Sequence, residues 1–202
     1  MHDLEPYYQW RDYYIASEDK LSPYYGHESN EFEFVNKVYN FYIHPQWDDF
    51  GSNTLYLKIL YADYDEGFTI IELLGEWNDA LHNDIMELKR TIIDHQINHG
   101  ITKFILIGEQ VLNFHSSDDS YYEEWYEDIK DEAGWIVLLG LLPHVMEEMA
   151  HSRLYHFMLY GEQWNQVNWR AFTPSQLFIL VDKFIENPKT LPESTFSHKR
   201  IK

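Results

Sequence analysis

An α/β fold, with a mixed sheet covered by helices, is the architecture this sequence predicts, and three observations predict it. Leu55, Leu57, Ile59 and Tyr61 alternate with other residues at the period of a strand. Two continuous apolar runs, Phe104–Ile107 and Trp135–Leu139, carry the mark of strands buried on both faces. Around these runs, apolar residues recur at helical spacing, and strands alternating with helices imply crossovers that pack back onto the sheet.

Taken in order, residues 1–53 form a polar arm crowded with rings, among them Tyr7, Tyr8, Trp10, Tyr13, Tyr14, Tyr24 and Tyr25. The spacing of Tyr7, Trp10 and Tyr14 predicts one helical face, and so many rings should pack on the body. Residues 54–162 hold the core. The strand at 55–61 turns through Asp63–Gly67 into a second strand, Phe68–Leu74. Asn78 or Asp79 caps a helix with the stripe Leu81, Ile85, Leu88, Ile92, which Gly100 stops. The run 104–107 leads to a helix from about Ser117 to Glu132, with Tyr122, Trp125 and Ile129 inward. The run 135–139 leads to a helix opened by Pro143, and Phe157–Tyr160 reads as a short last strand. Residues 163–202 hold a C-terminal helix capped by Thr173-Pro174, then a basic tail with His198, Lys199, Arg200 and Lys202.

Composition narrows the function classes. Among 202 residues, 34 are Asp or Glu and 15 are Lys or Arg, a formal charge of −19. Such a field repels nucleic acid and favours a protein partner with a basic surface. Aromatics reach 17%, enough to line an interface as well as a core. There is no cysteine. Residues 1–6 lack the charge and apolar character of a signal peptide, and Trp135–Pro143 falls far short of the roughly 20 apolar residues that span a bilayer. A cytoplasmic protein that engages no membrane is the expectation. No G-x-x-x-x-G-K-[ST], G-x-G-x-x-G or G-x-S-x-G motif is present, so no cofactor and no catalytic residue are assigned.

Three local motifs, in order and in register, carry a family resemblance over about residues 54–160. Gly75-Glu76-Trp77-Asn78 resembles a G-x-L-D turn into a first helix. Lys103–Ser117 (KFILIGEQVLNFHSS) aligns without a gap to a strand and loop of the type RLVLDLSGVTFIDSS, and Leu139–Leu154 (LGLLPHVMEEMAHSRL) to VGLSPEVRRVLELTGL. Together they resemble the STAS domain of anti-sigma-factor antagonists. The resemblance implies a STAS-like mixed sheet, elaborated here by the aromatic arm and the C-terminal helix. It also implies a non-catalytic regulatory module that binds another protein.

In that family the first Ser of a D-S-S-G loop is a phosphorylation switch, and Ser116 stands at its position. This chain has His115 in place of the preceding Asp, Asp118 in place of the Gly, and Ile107 in place of the strand's Asp. Two readings of Ser116 stay open, a switch or a helix N-cap. The expected partner surface comprises His115, Ser116, Ser117, Asp118 and Asp119, with Glu123, Glu124 and Glu127 of the acidic helix that follows. That helix also carries Asp128, Asp131 and Glu132, and is read as a partner surface, a solvated face or a weak divalent-cation site. The pair His95/His99 and the group His144, Glu147, Glu148, His151 have metal-ligand spacings, but they read as helix-end and solvated residues, and no metal is assigned. The alternative is an enzyme or small-ligand binder with an acidic, aromatic pocket between core and arm, using His44, Trp47, Asp48, Glu76, Trp77 and His115.

Overall fold

The computed structural model describes residues 4–28, 32, 34, 36–39 and 41–187. The basic tail at 198–202 lies outside the described residues.

A two-residue hairpin, β1 (Lys37–Val38) and β2 (Phe41–Tyr42), belongs to the N-terminal arm. The main sheet has four strands in the order β3 (Leu55–Asp63), β4 (Phe68–Asn78), β5 (Lys103–His115) and β6 (Trp135–Leu139). β3 and β4 form the expected antiparallel hairpin, while β4, β5 and β6 run parallel. The parallel steps are crossed by helices α1 (Asp79–His82), α2 (Asp84–Leu88) and α3 (Asp94–Ile97), then by α4 (Ser120–Lys130). α5 (Pro143–His151) follows β6. Hairpin, helix, strand, helix, strand, helix is the STAS-like order that the resemblance implies.

Strand alternation sorts the core onto two faces. Phe104, Leu106, Ile136 and Leu138 join Ile85, Leu88, Ile92, Trp125, Ile129, Val145 and Met149 in one buried cluster under the crossover helices. Ile105, Ile107, Val137 and Leu139 point the other way, where the C-terminal region covers them with α6 (Glu162–Asn165) and α7 (Pro174–Glu186). Phe178 of α7 stacks on Phe68 with ring centroids 4.1 Å apart. The arm completes this second face. Trp10 is buried against Trp169 and donates its indole N–H to the Phe172 carbonyl at 3.1 Å. Each sheet edge carries one bridge: Asp48 exchanges two backbone bonds with Leu57 at the β3 edge, and Leu159 bridges Val137 at the β6 edge.

Thr173 caps α7 as expected, in a reciprocal capping box with Gln176. Thr173→Ala is expected to cost about 1 kcal/mol in urea denaturation, the usual worth of a lost cap.

Four local expectations are corrected. The helix after β4 is not continuous, because Asn83 turns left-handed (φ 53°) and separates α1 from α2, and a π-helical turn (Lys89–Ile93) precedes α3. Leu81 therefore leaves the stripe and stands 79% exposed, while Ile85, Leu88 and Ile92 stay buried. The acidic helix begins at Ser120, three residues later than expected. The Tyr7–Tyr14 segment forms turns rather than a helix; Tyr7 and Trp10 meet edge to face, but Tyr14 packs on Tyr61. Phe157–Tyr160 contributes a single bridge at Leu159 rather than a strand.

Candidate partner-binding end of the sheet

The loop His115–Asp119 leaves the C-terminal end of β5, where open α/β sheets present their connections. All five residues are exposed. β5 pairs parallel with β4 as far as Asn78 and His115, so the loop lies beside the start of α1. Asn78 caps α1 by accepting the Leu81 N–H at 3.0 Å, and this cap holds Leu81 out at the same end. Tyr39 reaches in from the arm, its hydroxyl 2.7 Å from the side-chain nitrogen of Asn113. An exposed leucine and a half-exposed tyrosine thus flank a polar loop.

Neither Ser116 nor Ser117 caps the helix. The N-cap is Asp119, and Asp118 accepts from the backbone N–H of Ser120 at 3.1 Å and from its hydroxyl. Those bonds hold the Asp118 carboxyl below its usual range, so it stays ionised two residues from Ser116. The N-cap reading of Ser116 is overturned. A phosphate on this serine would meet two carboxylates.

Three of the four carboxylates within α4 pair with cations. Lys89, fully buried in the π-helical turn, places its ammonium 2.8 Å from Asp128 and 3.6 Å from Glu124, and it also bonds Asp94. Burial alone would lower its pKa, but the bonds from Asp128 and Asp94 outweigh burial and hold it above the ordinary lysine value. Arg90 adds a bidentate pair to Glu124, at 2.5 and 2.8 Å, and Lys130 pairs with Glu127. Oxygens of Asp94, Glu124 and Asp128 lie within 4.8 Å of one another, a geometry able to hold a cation, and the lysine ammonium sits among them. Of the three helix carboxylates expected to face a partner, only Glu123 has no internal ion pair among the described residues. Asp119, at the helix start, has none either.

The residues of the alternative pocket do not converge. Trp77 is buried in the core against Tyr122 and donates to Asp79. Trp47 and His44 meet the arm's own backbone at Leu4. Asp48 is buried and paired with Lys58 at 3.0 Å. Only Glu76 and His115 meet, at 2.8 Å. A cavity of about 460 Å³ does lie between arm and core, yet none of these six residues lines it. His99 bonds the His95 carbonyl and His95 the Leu21 carbonyl, while His144 bonds the Leu112 carbonyl and Glu147, Glu148 and His151 are exposed.

Sequence reasoning missed three buried carboxylates. Asp79 accepts from Tyr122, Trp77 and the Ile85 N–H, and burial pushes its carboxyl up to about 6. Asp84 accepts from Ser52, Thr54 and the Asn78 N–H, which locks the break in the first crossover. Glu72, in the middle of β4, accepts the Tyr7 N–H at 2.8 Å and Gln110 at 3.3 Å, and burial pushes it up to about 7. Their signal was a single acid within an apolar strand or at a helix start, and the partners Tyr7, Ser52, Thr54 and Tyr122 lie far away in sequence.

No family model matches the chain, and no curated protein sequence does. Among the described residues no helix is long and apolar enough to cross a membrane. Among solved structures the chain is similar to the anti-sigma factor antagonist SpoIIAA in its unphosphorylated form, with a TM-score of 0.43 and 19% identity, over 58% of this chain and 98% of that one. It is similar also to the Bacillus cell fate determinant SpoIIAA in the phosphorylated form, with a TM-score of 0.38 and 17% identity, over 53% and 92% of the two chains. Strand order and crossovers make the core STAS-like, and at these TM-scores the two structures assign it no partner and no mechanism.

Proposed function

We propose that this protein is a non-catalytic regulatory module that binds another protein through the His115–Asp119 loop and the outer face of α4. The observation that carries the reading is the unequal use of acidic residues. Glu124, Glu127 and Asp128 pair with internal cations, whereas Asp119 and Glu123 are exposed and have no ion pair among the described residues, and Leu81 is exposed in α1, which contacts β5. An exposed apolar side chain and acidic charge without an internal partner suit a partner with a basic surface, since such charges steer encounter and set register. The binding reading needs no modification of Ser116.

The test is affinity capture of the tagged protein from its native cells, beside an Asp119→Lys/Glu123→Lys variant. Identified partners are then titrated at low and moderate salt. Glu124 is left unchanged because its reversal would break the pairs with Lys89 and Arg90. The double reversal is expected to weaken the principal partner about tenfold and to flatten its salt dependence. Ser116→Asp is expected to leave affinity within about twofold; a complete loss there would point to a switch instead. Unchanged partners and affinities in the double reversal would show that this surface is not the one used.

A further inference from the structure

The cavity between arm and core has a chemistry unlike the rest of the molecule. In a chain of charge −19, Arg11, Lys58 and His27 all line it, with Glu28 as the carboxylate among the lining residues. Lys58 gives part of its charge to Asp48, but an ammonium has three donors and this pair does not use them all. Arg11 has no side-chain hydrogen bond or ion pair among the described residues, although carboxylates outnumber cations by more than two to one in the chain.

The floor adds another donor. Leu57 turns its N–H and C=O outward to Asp48, and strand geometry turns those of Ile59 to the same edge two residues on. Ile59 lines the cavity, and its N–H has no bond to a described side chain or arm backbone. The lining mixes polar and apolar groups, with the half-buried Tyr7 and Tyr14 and the exposed Ile15 on the arm side and Leu60 on the bulge of β3, while Trp10, also at the lining, is almost fully buried. A volume of about 460 Å³ falls within the range of small-molecule sites.

We propose that this cavity binds a small organic anion, a carboxylate carried on an aromatic body, with Arg11 and Lys58 receiving the carboxylate and the exposed parts of Tyr7, Tyr14 and Ile15 the body. Guanidinium and carboxylate match as a two-pronged pair, and partial enclosure strengthens the bonds. The site is separate from the loop at the far end of β5, so its occupancy and partner binding can be measured independently.

The probe is 2-naphthoate, titrated calorimetrically against 2-naphthamide, which has the same body without the charge. Naphthoate is expected to bind, with the amide about tenfold weaker. Arg11→Gln, a change at an exposed side chain that leaves the core alone, is expected to weaken naphthoate about tenfold and the amide little, while Arg11→Lys retains most of the affinity. Ile15→Trp fills the cavity from its rim and is expected to reduce both. Circular dichroism confirms that each variant is folded. Absence of naphthoate binding at millimolar concentration, equal affinity for the amide, or affinity unchanged in Arg11→Gln or Ile15→Trp would each overturn the proposal.

Discussion

Lys89→Ala is expected to destabilise the protein by about 2–3 kcal/mol in urea denaturation at pH 7. Removing one partner of a buried ion pair typically costs about 3–5 kcal/mol, because the charge left behind has lost its compensation. Here the stranded carboxylates, Asp94, Glu124 and Asp128, are between 28% and 43% exposed, so water recovers part of the loss. Arg90 still reaches two of them. The buried lysine stem also disappears, which loosens the contact between the π-helical turn and α4. With the ammonium gone, the three carboxylates become a site for an added cation. Calcium at about ten times its dissociation constant is expected to return about 1.4 kcal/mol to the variant while leaving the native protein unmoved. The acid limb changes as well. Burial would raise Asp94, but Lys89 and Arg90 outweigh it and hold the carboxyl below its ordinary value; Arg90 does the same for Glu124. Groups lowered in this way add stability above about pH 4 that is lost as pH falls through their folded values. The native protein is therefore expected to lose more stability on acidification below about pH 4 than the variant does. A variant as stable as the native protein at pH 7 would show that the lysine does not bind this crossover to α4.

The strands were legible because burial on both faces leaves unbroken apolar runs, and 104–107 and 135–139 can be little else. The hairpin was legible from the alternation at 55–61 and the turn residues after it. What escaped depends on partners remote in sequence. Asn83 adopts a left-handed turn, and the two acids around it are satisfied by Ser52, Thr54 and Tyr122, which no local window contains. Period alone therefore ran Leu81 into a stripe that begins only at Ile85. The spacing of Tyr7, Trp10 and Tyr14 suggested a helix, but their rings are claimed separately by Trp169 and Tyr61. At the candidate site, the loop could be placed from the resemblance. The distinction between Glu123 and Glu124 could not, because it rests on Arg90 and Lys89 arriving from the first crossover.

Glu72→Gln is expected to stabilise the protein by about 2–3 kcal/mol at pH 8 and to change it little at pH 5. Glu72 lies directly opposite Lys58 across the hairpin, but that lysine pairs with Asp48 instead. Glu72 is left with neutral donors, the Tyr7 N–H and the Gln110 amide, and with Arg170 acting on it by its charge. Burial wins over these and raises the carboxyl from its ordinary 4.5 to about 7. Between those values the folded protein holds a proton that the unfolded chain has released, so stability falls as pH rises through the window and levels above about pH 7. A rise of this size corresponds to about 3 kcal/mol at about 1.36 kcal/mol per pH unit. Glutamine keeps an oxygen for the Tyr7 N–H. Its amide also offers a donor to the Gln110 side-chain oxygen, which is buried without a hydrogen-bond partner. Asp79, raised to about 6 by burial, adds a slope of the same sign in both proteins, so the difference between the two stability curves isolates Glu72. Urea denaturation at half-unit steps from pH 5 to pH 8 measures that difference. A gap that stays constant with pH would mean that Glu72 is ionised throughout. A gap that opens with pH would show that the carboxylate beneath the N-terminal arm holds Tyr7 in place at a cost to the fold.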